Sequence, residues 1–112
     1  MRINRLDKFT NKCNGWITGQ FANALEQTDF EVGIKDYKSD ETNGRHWHKL
    51  ATEINIVLEG KCDFIFDDQT YTAIKGDIVV IEQNEPCAFE AITDTRLLVI
   101  KTISDPKDKY AD

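Results

Sequence analysis

The chain has two histidines, and both lie in the segment GRHWHKLATE, residues 44–53. On a strand, residues two apart point to the same side. His46 and His48 would therefore aim both imidazoles into one volume, with Trp47 facing away. Imidazole nitrogen is a good ligand for first-row divalent metals. The intervening KLAT can make a short turn, after which Glu53 opens the next strand. An inward carboxylate there completes a set of two histidines and one acid, which with open positions suits divalent metal chemistry. Taken alone, the three residues also read as an exposed histidine pair in a hairpin.

These side chains depend on the strands that carry them, and period-two alternation dominates the chain. In DFEVGIKDY, Phe30, Val32 and Ile34 share one face, and Glu31, Gly33, Lys35 and Tyr37 share the other. TEINIVLE sets Ile54, Ile56 and Leu58 against Glu53, Asn55 and Val57. KCDFIF sets Cys62, Phe64 and Phe66 against Lys61, Asp63 and Ile65, and Asp67-Asp68-Gln69 closes a hairpin into QTYTAI. Gly76-Asp77, the run IVVI, a turn at Gln83-Asn84-Glu85-Pro86, and the strands CAFEAIT and TRLLVIKTI follow. Strands of this composition with turn signals every eight to twelve residues or so predict an all-β sandwich or barrel. FANALEQ, residues 21–27, suits a short turn or helix, and SDPKDKYAD an extended polar arm.

A chain of 112 residues is expected to form one domain. The expected division is an N-terminal strand or arm region over 1–28, a barrel core over 29–103 and a tail over 104–112. A net charge of −6 with scattered basic residues argues against nucleic acid as a partner. No apolar run approaches the roughly 18–20 residues of a membrane span. The basic start MRINRLDKFTNK is followed by no apolar stretch of the signal-peptide kind, so a cytoplasmic location is expected. Cys13, Cys62 and Cys87 are odd in number and widely spaced, which argues against a disulfide framework; each reads first as a small buried apolar residue.

The run His46-x-His48, four residues, Glu53, six residues, Gly60 resembles the first motif of the cupin family. Gly76–Asp77 resembles the opening of the second, whose eleventh residue after the glycine is a histidine ligand in the family and Cys87 here. DFEVGIKDYKSDE and the ending DPKDKY are similar to those of small stand-alone bacterial cupins. Two departures accompany the match. The usual first-motif glycine is missing near Asp40, with Gly44 closer to the histidines. The usual Pro-x-Gly of the second motif is Glu82-Gln83-Asn84, where asparagine is tolerable because it visits positive φ readily.

The resemblance implies an antiparallel jelly-roll barrel holding one divalent metal, iron, manganese, zinc or nickel, on His46, His48 and Glu53. It turns the face of Cys87, Phe89 and Ala91 toward that metal. Cys87 then has two readings. As a thiolate it closes a tetrahedral zinc site; as a protonated thiol it lines the barrel and leaves positions open for water or substrate. Asn55 would orient Glu53 or a ligand, or be a satisfied polar group of the barrel. Val57, Phe64 and Phe89 would line the cavity or pack its core, and Glu82 would sit at its mouth or in solvent. Trp16 and Trp47 suit an interface. The aliphatic row Ile54, Ile56 and Leu58 needs a cover, either the N-terminal segment or a second subunit, and the resemblance implies a homodimer. Function is expected to be metal-dependent chemistry on a small organic molecule, of dioxygenase or isomerase type, with Glu53 or Cys87 as base. The competing readings are a module that binds or senses a small ligand, with the metal structural or absent, and a subunit that binds another protein.

Overall fold

The computed structural model describes residues 1–8 and 13–112, without the side chain of Cys13, so the expectation for that thiol lies outside the described residues. The alternating segments become nine strands among those residues: β1 Trp16–Thr18, β2 Glu31–Tyr37, β3 Thr42–His46, β4 Glu53–Glu59, β5 Lys61–Phe66, β6 Thr70–Ile74, β7 Ile78–Ile81, β8 Cys87–Ala91 and β9 Thr95–Lys101. They form a five-stranded sheet, β1-β2-β9-β4-β7, and a four-stranded sheet, β3-β8-β5-β6, with antiparallel pairing throughout. Strands distant in sequence are neighbours: β2 and β4 flank β9, and β3 and β5 flank β8. This is the jelly-roll arrangement, in which two sheets close over one core.

The inward faces of both sheets meet in a core that includes Val57, Cys62, Phe64, Phe89, Leu97 and Val99. Phe64 and Phe89, cross-strand partners on β5 and β8, meet edge to face at 5.4 Å between ring centres. Such a contact adds to the simple burial of the rings. Val57 and Cys62 are essentially sealed from solvent. Between them, Gly60 turns β4 into β5 with φ +93°, and a Cβ there would stand 2.2 Å from the Asp94 carbonyl oxygen. No side chain fits that turn. Asn84 does adopt a left-handed conformation, φ 61°, in the turn before β8.

Three local expectations are refined. Residues 21–27 form a turn, closed by the Ala24 N–H donating to the Phe21 carbonyl, and no helix. Trp16 belongs to the core and stacks on Phe21. The C-terminal arm is docked: Trp47 and Tyr110 exchange backbone hydrogen bonds, and their rings stack. No helix of the described residues is long and apolar enough to cross a membrane.

The outer face of the five-stranded sheet is also apolar. Register places Ile100, Ile54 and Val80 in one row across β9, β4 and β7, and Leu98, Ile56 and Ile78 in the next. The first two strands hold theirs half-buried, whereas Ile78 and Val80 are 64% and 46% exposed.

Candidate functional site

A cavity of about 670 Å³ opens between the two sheets, and His46, His48, Glu53 and Cys87 all line it. Each arrives from a different element. Strand β3 pairs with β8 through Asn43↔Phe89 and His46↔Cys87, so two residues of β3 sit opposite one of β8. That bulge, at Gly44 and Arg45, re-aims the strand. Unbroken alternation from Asn43 would turn His46 outward; the extra residue brings both Asn43 and His46 to the cavity. Arg45 is left outside, where its guanidinium bridges Asp67 and Asp112.

His46 and Cys87 are thus cross-strand neighbours on the four-stranded sheet. Glu53 faces them from the opposite sheet, in register with Ile81 and Lys101. His48 lies beyond the end of β3, in the loop that crosses between the sheets. The two imidazoles stand edge to face with ring centres 5.2 Å apart.

Both rings are anchored in the same way. His46 Nδ1 lies 2.7 Å from the Gly44 carbonyl, and His48 Nδ1 bonds the Asp108 carbonyl. A carbonyl only accepts, so the proton sits on Nδ1 and the lone pair on Nε2. His48 is 4% exposed, and its Nε2 is buried without a hydrogen-bond partner. Burial holds the His46 pKa below its ordinary value and so favours the neutral, ligating form, while the Gly44 carbonyl opposes that shift.

The tail makes this possible. The Asp108 carboxylate accepts hydrogen bonds from the backbone N–H groups of Lys49, Leu50 and Ala51. It therefore fixes the loop after His48 while its own main-chain carbonyl holds the ring. Sequence reasoning missed Asp108, because a main-chain acceptor sixty residues from His48 leaves no pattern around the histidines.

The acid and the thiol are less committed. Glu53 is half-buried, and the side-chain hydrogen bond it accepts from Asn55 Nδ2 is long at 3.4 Å. The Cys87 thiol donates to the Ala88 carbonyl. Burial, aided by the negative charge of Glu53, pushes its pKa up to about 12. Among the described residues, no three His, Cys, Asp or Glu side chains stand close enough as they are to hold an ion. The imidazole pair fits a metal by its chemistry: Nδ1 on a main-chain carbonyl and Nε2 free is how a ligating histidine is held. The carboxylate fits by type but is not drawn up to the rings.

Other cavity residues carry charge. Glu31, Lys35 and Lys101 line it, the two lysines over the Trp16 ring, and Asn55, Phe64 and Phe89 line it as well. Val57 packs in the core and does not line the cavity, and Glu82 is exposed outside it. The alternation of β2 already grouped Glu31 with Lys35. It gave no sign that this face turns inward.

The model of the AraC-like ligand binding domain family matches residues 27–102. Among solved structures, the chain is similar to a cupin superfamily protein from Desulfitobacterium hafniense, with TM-score 0.65, 19% identity, and 70% of this chain and 72% of that one covered. It is similar to a cupin-2 domain protein from Shewanella frigidimarina, with TM-score 0.60, 24% identity and coverage of 67% and 72%. It is also similar to the salicylate 1,2-dioxygenase of Pseudaminobacter salicylatoxidans, with TM-score 0.62, 16% identity and coverage of 67% of this chain and 21% of that enzyme. At these identities the likeness establishes the cupin fold and leaves chemistry to the site. No curated protein matches the chain significantly.

Proposed function

The chain belongs to the AraC-like ligand-binding domain family, and from that premise we propose that it binds a small organic molecule in the intersheet cavity, beside a divalent ion held by His46, His48 and Glu53. The observation that carries the metal is the buried, partnerless Nε2 of His48. Leaving a buried acceptor unsatisfied costs about 1–3 kcal/mol, and an ion at that nitrogen removes the cost. His46, anchored by the same kind of bond, supplies the second nitrogen. Glu53, restrained only by the long contact from Asn55, would rotate to complete the set. Cys87, satisfied by the Ala88 carbonyl, stays off the ion and lines the cavity. Iron, manganese, zinc and nickel all suit two imidazoles and a carboxylate.

Bound, the ion would supply a Lewis acid for an oxygen atom of the ligand. Binding is favoured over dioxygenase or isomerase turnover by the state of the two candidate bases. Glu53 is taken up by the ion, and the Cys87 proton is held on a backbone carbonyl. Elemental analysis of the purified protein beside His48→Ala and Cys87→Ser variants tests the site. Metal is expected in the parent and in Cys87→Ser and absent in His48→Ala.

The apolar rows on the outer face of the five-stranded sheet support a homodimer, with two copies packing these faces together. The rows run unbroken over three strands and end on β7, where Ile78 and Val80 are largely exposed. A contiguous aliphatic surface of this kind is unusual on a monomer. The acidic net charge and the absence of a basic cluster weigh against nucleic acid. A cytoplasmic location remains the reading of the sequence.

A further inference from the structure

We propose that the ligand is a small organic carboxylate, whose anionic end is received by Lys35 and Lys101 at the Trp16 end of the cavity. The inference rests on the ligand-binding reading above and narrows it to a chemical class. Register sets up the charges. On the inner face of the five-stranded sheet, Glu31, Lys101 and Glu53 lie in one row across β2, β9 and β4. Lys101 Nζ is 3.7 Å from Glu31 and 5.1 Å from the centre of the Trp16 ring. Lys35 Nζ lies over the same ring, at 4.0 Å, and donates to the Asn14 carbonyl.

The two lysines are not equivalent. Lys101 has its counterion: Glu31 is 2% exposed and is fixed by a hydrogen bond from Ser104 Oγ, which itself accepts the Gln20 N–H. Held in this way, Glu31 stays with Lys101. Lys35 has no carboxylate within ion-pairing distance among the described residues; it leans on a π face and one carbonyl. The Glu31–Lys101 pair is neutral, and Glu53, on the far side of Lys101 in the row, acts on Lys35 without pairing with it, so Lys35 is the ammonium at this end of the cavity with no carboxylate in contact among the described residues. Burying a charge is costly unless it is paired. A ligand carboxylate supplies the missing partner, and its second oxygen is within the compass of Lys101. Neutral ligands leave Lys35 as it stands. The body of the acid would lie along Asn55 and Val99 toward the imidazoles.

The test uses metal-free, chelator-treated full-length protein, so that no ion can attract the acid. Binding of benzoate and cyclohexanecarboxylate is measured against their carboxamides, which match them in shape, by calorimetry and by tryptophan fluorescence in a Trp47→Phe background. The expected result is a preference of about tenfold to a hundredfold for the acids, the worth of a charge-assisted contact. Lys35→Met should abolish the preference, Lys35→Arg should retain it, and Lys75→Met, at an exposed lysine outside the cavity, should leave it unchanged. Acids and amides binding equally, or a preference that survives Lys35→Met, would overturn the carboxylate assignment and spare the cavity as a ligand site. No binding of any of the four compounds would overturn the assignment together with the ligand-binding reading.

Discussion

The imidazole of His48 hangs from the main-chain carbonyl of Asp108, sixty residues along the chain. The site is therefore assembled by the tail as much as by the strands. The same residue ties down Lys49, Leu50 and Ala51 through its carboxylate. Asp108→Ala should leave the buried Ala51 N–H, and the part-buried ones of Lys49 and Leu50, without their acceptor and cost about 1–3 kcal/mol of stability. Urea denaturation reads that cost. Metal affinity should fall with it, since the His48 ring loses its fixed setting. A variant with unchanged stability would mean that the tail only rests on the loop.

Cys62 supplies a pH signature remote from the site. Burial, with Asp63 second, pushes its pKa from 9.0 up to about 11. The folded protein keeps this proton over a range in which the unfolded chain has lost it. The stabilising effect is therefore complete below about pH 9 and is lost as pH rises toward 11, at up to about 1.4 kcal/mol per pH unit. Cys62→Ala should show a correspondingly flatter alkaline decline in urea titrations repeated across that range.

Lys35 behaves in the opposite sense. Burial, with Lys101 second, lowers its pKa from 10.5 to about 8, while Glu31 and Glu53 oppose the fall and Lys109 adds to it. Its charged form is disfavoured in the folded protein below about pH 8, and that cost is relieved between 8 and 10.5. Lys35→Met should accordingly be more stable than the parent at neutral pH, with the advantage fading as pH rises. Affinity for a carboxylate needs the ammonium, so it should be full below about pH 8 and weaken above it. A flat profile in the parent protein would contradict the assignment of Lys35.

The outer sheet face offers a simple oligomer test. Val80→Lys places a charge at the exposed β7 end of an aliphatic row without touching the cavity. Sedimentation is expected to give a dimer for the parent and a monomer for the variant, with the strand signature of circular dichroism retained. A monomeric parent would refute the dimer.

Much of this architecture could be read from alternation alone. Strands β4, β5 and β8 carry their inward residues, Asn55 and Val57, Cys62 and Phe64, Cys87 and Phe89, as the period requires. The two imidazoles and Glu53 stand out in the sequence because their types and spacing are unusual, and all three line the cavity. What alternation could not reveal is which side of β2 turns inward. Alternation puts Phe30, Val32 and Ile34 on one face and Glu31 and Lys35 on the other, and the charges of the second give no sign that it faces the cavity. Nor could it reveal the bulge at Gly44 and Arg45, which depends on pairing with β8. The tail reads as an extended polar arm because, Tyr110 apart, its anchors are backbone groups and the carboxylates of Asp108 and Asp112, which give no apolar pattern.

The most direct measurement is titration of the chelator-treated protein with cobalt(II), followed by its visible absorption. The account predicts one ion bound per chain, no thiolate charge-transfer band, retention in Cys87→Ser and loss in His48→Ala and Glu53→Gln. Failure of the parent to bind cobalt, or binding undiminished in His48→Ala, would contradict it.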